Sequence, residues 1–376
     1  MTQLAPSARL ALDTILQKPT RGIPILGPNI MEHEHIERLA GANPGDYVRS
    51  PVQTYLALQK SIGTNVILQW IPENPLSMGA DGYEGSTHGA TTGAQEIVRD
   101  GIVINSPEAV VEHMERIVFP SLVRATESFD EEACIQRVIS DEVATQDLFG
   151  PEILKSPYGV IRFPFLGYCE YGYSDYFMAF ALYPEVIEKH FSLQADFWAR
   201  NNLAVAKAYA RGNLPPLGFL DHDMADSRGT LVNVRALDEL WFPHFARALE
   251  PLLKTDIKLV WHCDGNLMEM VPRLIEVGIR GFQGFQYEDG MDYERICGMQ
   301  AKDGDDLIIV AGVSVTRTLP MGTPDDVKRE MRWLVENGPR SGLFLAASSS
   351  VTPGVRWENI KTMVEGFRHY QVQGRY

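Results

Sequence analysis

The sequence predicts a (β/α)8 barrel of the TIM type, and three observations carry that expectation. Short apolar runs that read as strands recur along the second half of the chain, with tips at Asp223, His262, Glu288, Gly312 and Ala347. Their spacing lies near the roughly 30 residues that one strand-and-helix unit of such a barrel occupies. Each run leads into a stretch with apolar residues at helical spacing. No Gly-x-Gly-x-x-Gly opens a strand–turn–helix unit, which disfavours an open dinucleotide-binding sheet. Right-handed crossovers would bring all these tips to one face.

In chain order, residues 3–17 are helical in pattern and end before Lys18-Pro19. Residues 23–27 make a short strand, and 31–39 and 51–61 two helices, so residues 1–62 form an N-terminal helical extension. The run 65–70 is the first strong strand. Residues 71–105 then predict a long lid-like insertion or hairpin excursion over the substrate. Its glycine-rich part, which holds Tyr83, lacks the Lys-Ser/Thr of a phosphate loop. Residues 97–104 form a hairpin with Asp100-Gly101 at the turn. Two helices fill 107–150, broken near 128–130. A strand over 158–165 follows, then a helix over 174–211 interrupted at Pro184. The run 217–220 ends in Asp221-His222-Asp223, before a helix over 235–253. Leu259-Val260-Trp261 runs into His262, Cys263 and Asp264; Gly265 turns the chain and Asn266 caps the next helix. Strands over 281–287, 307–312 and 342–346 alternate with helices over 292–299, 324–336 and 357–367. All of 1–376 is expected in one domain.

Composition narrows the function. Hydrophobic residues make up 45% and charged residues 22%, the balance of an ordinary folded chain. A net charge of −15 argues against a nucleic-acid groove and against an anionic membrane surface. No apolar run approaches the ~18 residues of a membrane span. The N-terminus lacks the basic-then-apolar pattern of a secretory signal. Four scattered cysteines without a Cys-x-x-Cys fit a reduced, cytoplasmic protein. A homodimer is compatible with the sequence, which leaves the oligomeric state open.

The densest chemistry lies at the strand tips. Side chains alternate along a strand, so His262 and Asp264 share one side and Cys263 takes the other. With Glu288 from the next tip and Asp223 from the previous one, His262 and Asp264 suit Zn2+ with an open position. The same groups suit general acid–base work, with His262, Glu288 and Asp223 as its catalytic candidates. They also suit a structural role, with Asp264 as a cap and His262 as a hydrogen-bonded core residue. Tyr168, Tyr171, Tyr173 and Tyr176, packed just after a strand tip, predict an aromatic wall for a flat small-molecule substrate. His222, Gln286 and Tyr83 are the further substrate-binding candidates.

The stretch His262-Cys-Asp-Gly-Asn with Pro272-Arg-Leu-Ile-Glu-Val-Gly278, followed by Gly284-Phe-Gln and Gly290-Met-Asp292, resembles the uroporphyrinogen decarboxylase-like superfamily. The closing run from Gly342 through Ser348-Ser-Ser-Val-Thr-Pro353 to Glu358-Asn359-Ile360 is similar to its last strand and helix. Ile23-Pro-Ile-Leu-Gly27 and Leu39-Ala-Gly-Ala-Asn-Pro-Gly45 fit its non-decarboxylase branch. The resemblance spans nearly the whole chain and implies the barrel fold.

Two activities follow from it as expectations. Decarboxylases of the family hold an acidic tetrapyrrole with an Arg-Gln-Ala-Gly-Arg segment and an Asp after the first strand; here Arg21 and Arg38 stand without that segment and the run 65–70 lacks the Asp. Corrinoid-dependent methyltransferases hold zinc with His-x-Cys at this tip and a second Cys nine residues before Glu-Asn. His262 matches the histidine, while Asp264 and Ser349 stand where the two thiolates would be. The resemblance thus implies a methyltransferase working on a small, aromatic or methylated substrate, with a corrinoid protein as partner and Zn2+ at His262, Asp264 and Glu288. A decarboxylase or lyase is the second expectation, and a non-catalytic tetrapyrrole- or corrinoid-binding protein the third.

Overall fold

The computed structural model describes residues 4–79, 82–83 and 96–375. Five parallel strands, Leu217–Asp221, Lys258–His262, Gly281–Gln283, Ile308–Val313 and Leu343–Ala347, form one sheet in that order. Val66–Ile67 pairs in parallel with Leu154–Lys155. Single parallel bridges join Ile25 to Leu345 and Leu26 to Val66. Backbone pairing therefore continues from Leu343–Ala347 through residues 25–26 to the Val66–Ile67 pair. Between Leu154–Lys155 and Leu217–Asp221 a side chain makes the contact, where Ser156 Oγ donates to the Leu217 carbonyl at 3.1 Å. The fold is α/β, mostly helical around a parallel sheet.

Alternation along the strands divides the core in two. Phe219, Val260, Val310 and Phe344 meet in a cluster that also takes Ala8, Ala11 and Ile15 of the helix Pro6–Ile15. Leu220, Trp261, Ala311 and Leu345, one residue on in each strand, join the larger cluster under the surrounding helices. Both faces of the strands are thus apolar, as in sheets covered by helices. Trp261 is fully buried against Phe245 and Phe163, with ring centroids 5.5 and 5.2 Å away. Lys155 lies in a buried ion pair with Glu142 at 2.7 Å, and its Nζ also donates to the Ser156 carbonyl. Burial lowers the Lys155 pKa and raises that of Glu142, each against the pull of its partner.

The hairpin Ile97–Arg99/Ile102–Ile104 forms as expected, with Asp100 and Gly101 at positive φ. It is tied down by Arg99 Nε on the Glu170 carbonyl and by Asp100 on His113. Of the lid predicted over 71–105, residues 80–81 and 84–95 lie outside the described residues, as does the Tyr83 side chain.

Four expectations are corrected. Residues 158–165 form no strand; the paired strand is the earlier Leu154–Lys155. The apolar run that suggested one instead packs Ile161 and Phe163 into the outer core. The helix over 235–253 is two, Val234–Leu240 and Phe242–Leu253, divided at Trp241. The strand over 281–287 stops at Gln283, and residues 287–289 turn as a 3-10 segment. The helix expected from Asn266 begins at Val271; Asn266 instead accepts from the Met268 N–H in the preceding turn.

Candidate active site

Three strands meet at one level. His262 is in register with Asp221 on one side and Gln283 on the other. In-register neighbours of parallel strands face the same way, and all three line a cavity of about 260 Å³ at the carboxyl ends of the strands. Asp223, two residues beyond Asp221, lines it too. Asp223, His262 and Asp264 each offer a ligand atom within 4.8 Å of the others. His262 Nε2 lies 3.8 Å from Asp264 Oδ1.

Local backbone contacts fix this group. The Asp264 N–H donates to Asp223 Oδ1 at 2.8 Å, and Tyr168 Oη donates to the Asp223 carbonyl at 2.6 Å. Gln286 Oε1 accepts from the Gly265 N–H at 2.8 Å. Ser349 Oγ donates to Asp264 Oδ2 at 3.1 Å. Gly284, at φ +89°, passes so close that a Cβ there would stand 2.6 Å from the Cys263 oxygen and 2.9 Å from His262 Nδ1. Only glycine fits that conformation and that approach.

Two polar atoms at the centre have no protein partner: His262 Nδ1 and Asp264 Oδ1 are buried without a hydrogen bond. Both carboxyls titrate above the ordinary range. Desolvation is the main cause for each; the Asp264 charge adds to the rise at Asp223, and the Asp221 charge to that at Asp264. Asp223 has appreciable accessible area, but that area opens into the cavity, where surrounding protein limits the screening by water.

The orphaned acceptor, the imidazole and the two carboxylates fit a divalent cation. Oxygen and nitrogen donors of this kind suit zinc and harder divalent ions, and charged ligands without a cation are costly to hold together. Cys263 does not join the group. Its thiol is buried, donates to the Asp264 carbonyl and accepts from the Met224 N–H.

Several predicted site residues stand elsewhere. Glu288 is carried by the 3-10 turn to the next strand tip, where Ser314 Oγ and Thr316 Oγ1 both donate to it. Asp223 takes the place expected for Glu288 in the ligand set. His222 faces the core: it is buried, Nε2 accepts from the Leu166 N–H at 3.0 Å, and burial pushes its pKa down to about 3. Gln286 braces the His262–Gly265 turn rather than lining the cavity. Tyr168, Tyr171 and Tyr176 are buried and Tyr173 is exposed, and none of the four lines the cavity. Tyr168 stacks on His222 with centroids 5.6 Å apart, and Tyr171 is bonded to His113. The aromatic walls are instead Tyr55, Tyr158 and Phe219. Tyr158, which the sequence places at the start of a strand and not at the site, donates its hydroxyl to Asp221. Asn29 and Ser350, also missed, are bonded to each other at 3.0 Å across the first and last loops. Only tertiary pairing brings them to the mouth.

An α/β enzyme fold with carboxylates and an imidazole at its strand ends is the class this geometry defines. The profile of the uroporphyrinogen decarboxylase family matches residues 166–370, over half of the chain, and the protein belongs to that family. A methyltransferase from Methanosarcina mazei has a similar fold, with 14% identity, 97% of this chain and 98% of that one covered, and a TM-score of 0.55. A B12-independent methionine synthase from Shewanella sp. W3-18-1 matches more loosely, at 13% identity over 62% of this chain and 65% of that one, with a TM-score of 0.40. No curated protein sequence matches the chain. Among the described residues no helix is long and apolar enough to cross a membrane.

Proposed function

We propose that this protein transfers a methyl group between a small substrate and a corrinoid carried by a partner protein, from the mouth of a closed (β/α)8 barrel. The observation that carries the reading is the meeting of Asp223, His262 and Asp264 with Ser349 bonded to Asp264. In the resemblance, Asp264 and Ser349 occupy the two thiolate positions, which are remote in sequence and adjacent here. The closed barrel is supported by the run of parallel pairings, the single inner cluster and the Ser156 contact across the one seam without backbone pairing.

His262, Asp264 and Asp223 would hold a divalent ion such as Zn2+, with Glu288 excluded by its place at the neighbouring tip. Such an ion supplies Lewis acidity toward the oxygen, nitrogen or sulfur that gives or takes the methyl group. The chain's own contribution is positioning. Gly284 and Gln286 hold the His262–Gly265 turn, and Ser349 occupies one Asp264 oxygen so that the other stays free to act. The cavity, at about 260 Å³, falls below the ~300–1,000 Å³ of drug-sized sites and favours a small substrate over a tetrapyrrole.

Metal analysis of the purified protein, with a methyl-transfer assay in the presence of a corrinoid protein, tests the proposal. One bound divalent ion, lost together with transfer in His262→Ala at unchanged fold, is the expected result. Turnover unaffected by that substitution would overturn it.

A decarboxylase or lyase is the second reading, favoured by one observation: the raised Asp223 and Asp264 carboxyls are suited to deliver a proton to a carbanion. Turnover that survives chelation would support it.

A further inference from the structure

We propose that the cavity selects a small cationic substrate, its positive centre held between the Asp221 carboxylate and the rings of Tyr158 and Phe219. This deepens the methyl-transfer reading of the same site and rests on it.

Among the described residues the cavity lining contains Asp221 and Asp223 and no Lys or Arg. Arg162, whose charge acts on Tyr158, lines the neighbouring outer groove instead. The sequence after the first parallel strand is acidic as well: residues 71–96 hold Glu73, Asp81, Glu84 and Glu96, one histidine, His88, and no Lys or Arg. A divalent ion on Asp223, His262 and Asp264 would offset two carboxylates and leave Asp221 unmatched.

Asp221 is exposed to the cavity, and its bonded partner is the neutral Tyr158 hydroxyl. Burial first, then the Asp221 charge, pushes the Tyr158 pKa upward, so the phenol stays a donor and brings no charge of its own. The Phe219 ring lies 6.1 Å from that of Tyr158 and 6.3 Å from that of His262. A carboxylate and aromatic rings lining one small cavity can together recognise ammonium and sulfonium centres, through charge and through the ring quadrupole. The same field repels anionic substrates. His262 is in register with Asp221, so a methyl group on a cation held there would lie beside the proposed ion site.

Quaternary ammonium and tertiary sulfonium ions share this chemistry, and a titration separates them. Zinc-loaded, full-length protein is titrated by calorimetry with choline, with trimethylsulfonium and with 3,3-dimethylbutan-1-ol, the neutral isostere of choline. At least one cation should bind at least tenfold more tightly than the alcohol. Asp221→Asn should remove at least tenfold of the cation's affinity and leave the alcohol's unchanged. Phe219→Leu, should the first variant fold poorly, should weaken the cation at least threefold. Equal affinities for cation and alcohol, no cation binding, or a cation affinity indifferent to both substitutions would overturn the proposal. Cation binding without methyl transfer would leave this site standing and remove the methyl-transfer reading. Transfer from a neutral substrate without cation binding would do the reverse.

Discussion

Ser349 Oγ reaches across the cavity mouth to Asp264 Oδ2 at 3.1 Å, joining the loop after the last strand to the tip of Lys258–His262. The contact leaves Asp264 Oδ1 as the free acceptor beside His262. Bonds of this kind orient a metal ligand, and their loss typically costs about 10–100-fold in affinity. Ser349→Ala is therefore expected to weaken divalent-ion binding by about tenfold while leaving thermal stability near wild type. Competition with a chromogenic chelator measures it; an unchanged affinity would remove Ser349 from the site.

The raised carboxyls predict a pH signature. A carboxyl whose folded pKa lies above its unfolded value stabilises the fold fully below the unfolded value, and that contribution is lost as pH rises through the folded one. Asp223 and Asp264 are both of this kind. Metal-free Asp264→Asn should accordingly melt higher than metal-free wild type at pH 7, with the gap closing toward pH 4. Adding a divalent ion at pH 7 should raise the wild type's melting temperature and leave the variant's nearly unchanged. Paired thermal melts at the two pH values decide the matter.

His222 is expected to matter for stability and not for titration. Its Nε2 is committed as an acceptor to the Leu166 N–H, and burial keeps the ring neutral down to about pH 3. His222→Ala opens a hole between Phe165 and Tyr168 and orphans that N–H. A loss of roughly 2–4 kcal/mol in denaturant unfolding is expected, with ion affinity of the folded protein retained.

Gly284→Ala tests the backbone that seats His262. With φ at +89° and the Cys263 oxygen 2.6 Å from the new Cβ, the turn must shift. The expected cost is about 1–3 kcal/mol of stability. A disproportionate loss of ion binding should accompany it, because the same Cβ would press on His262 Nδ1.

The buried Lys155–Glu142 pair should show the asymmetry of such pairs. Lys155→Met leaves Glu142 charged and buried, and is expected to cost about 3–5 kcal/mol. The double variant Lys155→Met/Glu142→Leu should recover most of that loss in the same unfolding experiment.

Much of the fold was legible because long apolar runs with polar ends carry their own period. The strands ending at Asp221, His262, Val313 and Ala347 fall where expected to within one or two residues. Strands of two residues carry no period, and so Leu154–Lys155 was overlooked in favour of the more apolar run after it. At the site, alternation placed His262 with Asp264 and turned Cys263 away, as the structure has it. Alternation also puts Asp221 and Asp223 on one side with His222 opposite. The clustered tyrosines drew attention as a wall because their number is visible in sequence, whereas their burial is not. Glu288 was misplaced because a positive-φ glycine, Gly284, ends the strand early. Asn29, Tyr55 and Ser350 come from opposite ends of the chain and carry no local pattern that unites them.

The bridge between Ile25 and Leu345 has a consequence for how the chain acquires its shape. It pairs two segments far apart in the sequence, and the Ile23 N–H donates to the Tyr370 carbonyl in the helix Trp357–Gln373. The Pro6–Ile15 helix, although made earlier, finds its apolar seat only once the strands bearing Val310 and Phe344 exist. Non-local closures of this sort slow folding, since the chain entropy is spent before the contacts that reward it. During synthesis the Pro6–Ile15 helix must therefore wait until the strand Leu343–Ala347 has left the ribosome. Ser349 lies just after the strand Leu343–Ala347, so its meeting with Asp264 belongs to the same late event, and the chemical centre is assembled only with it.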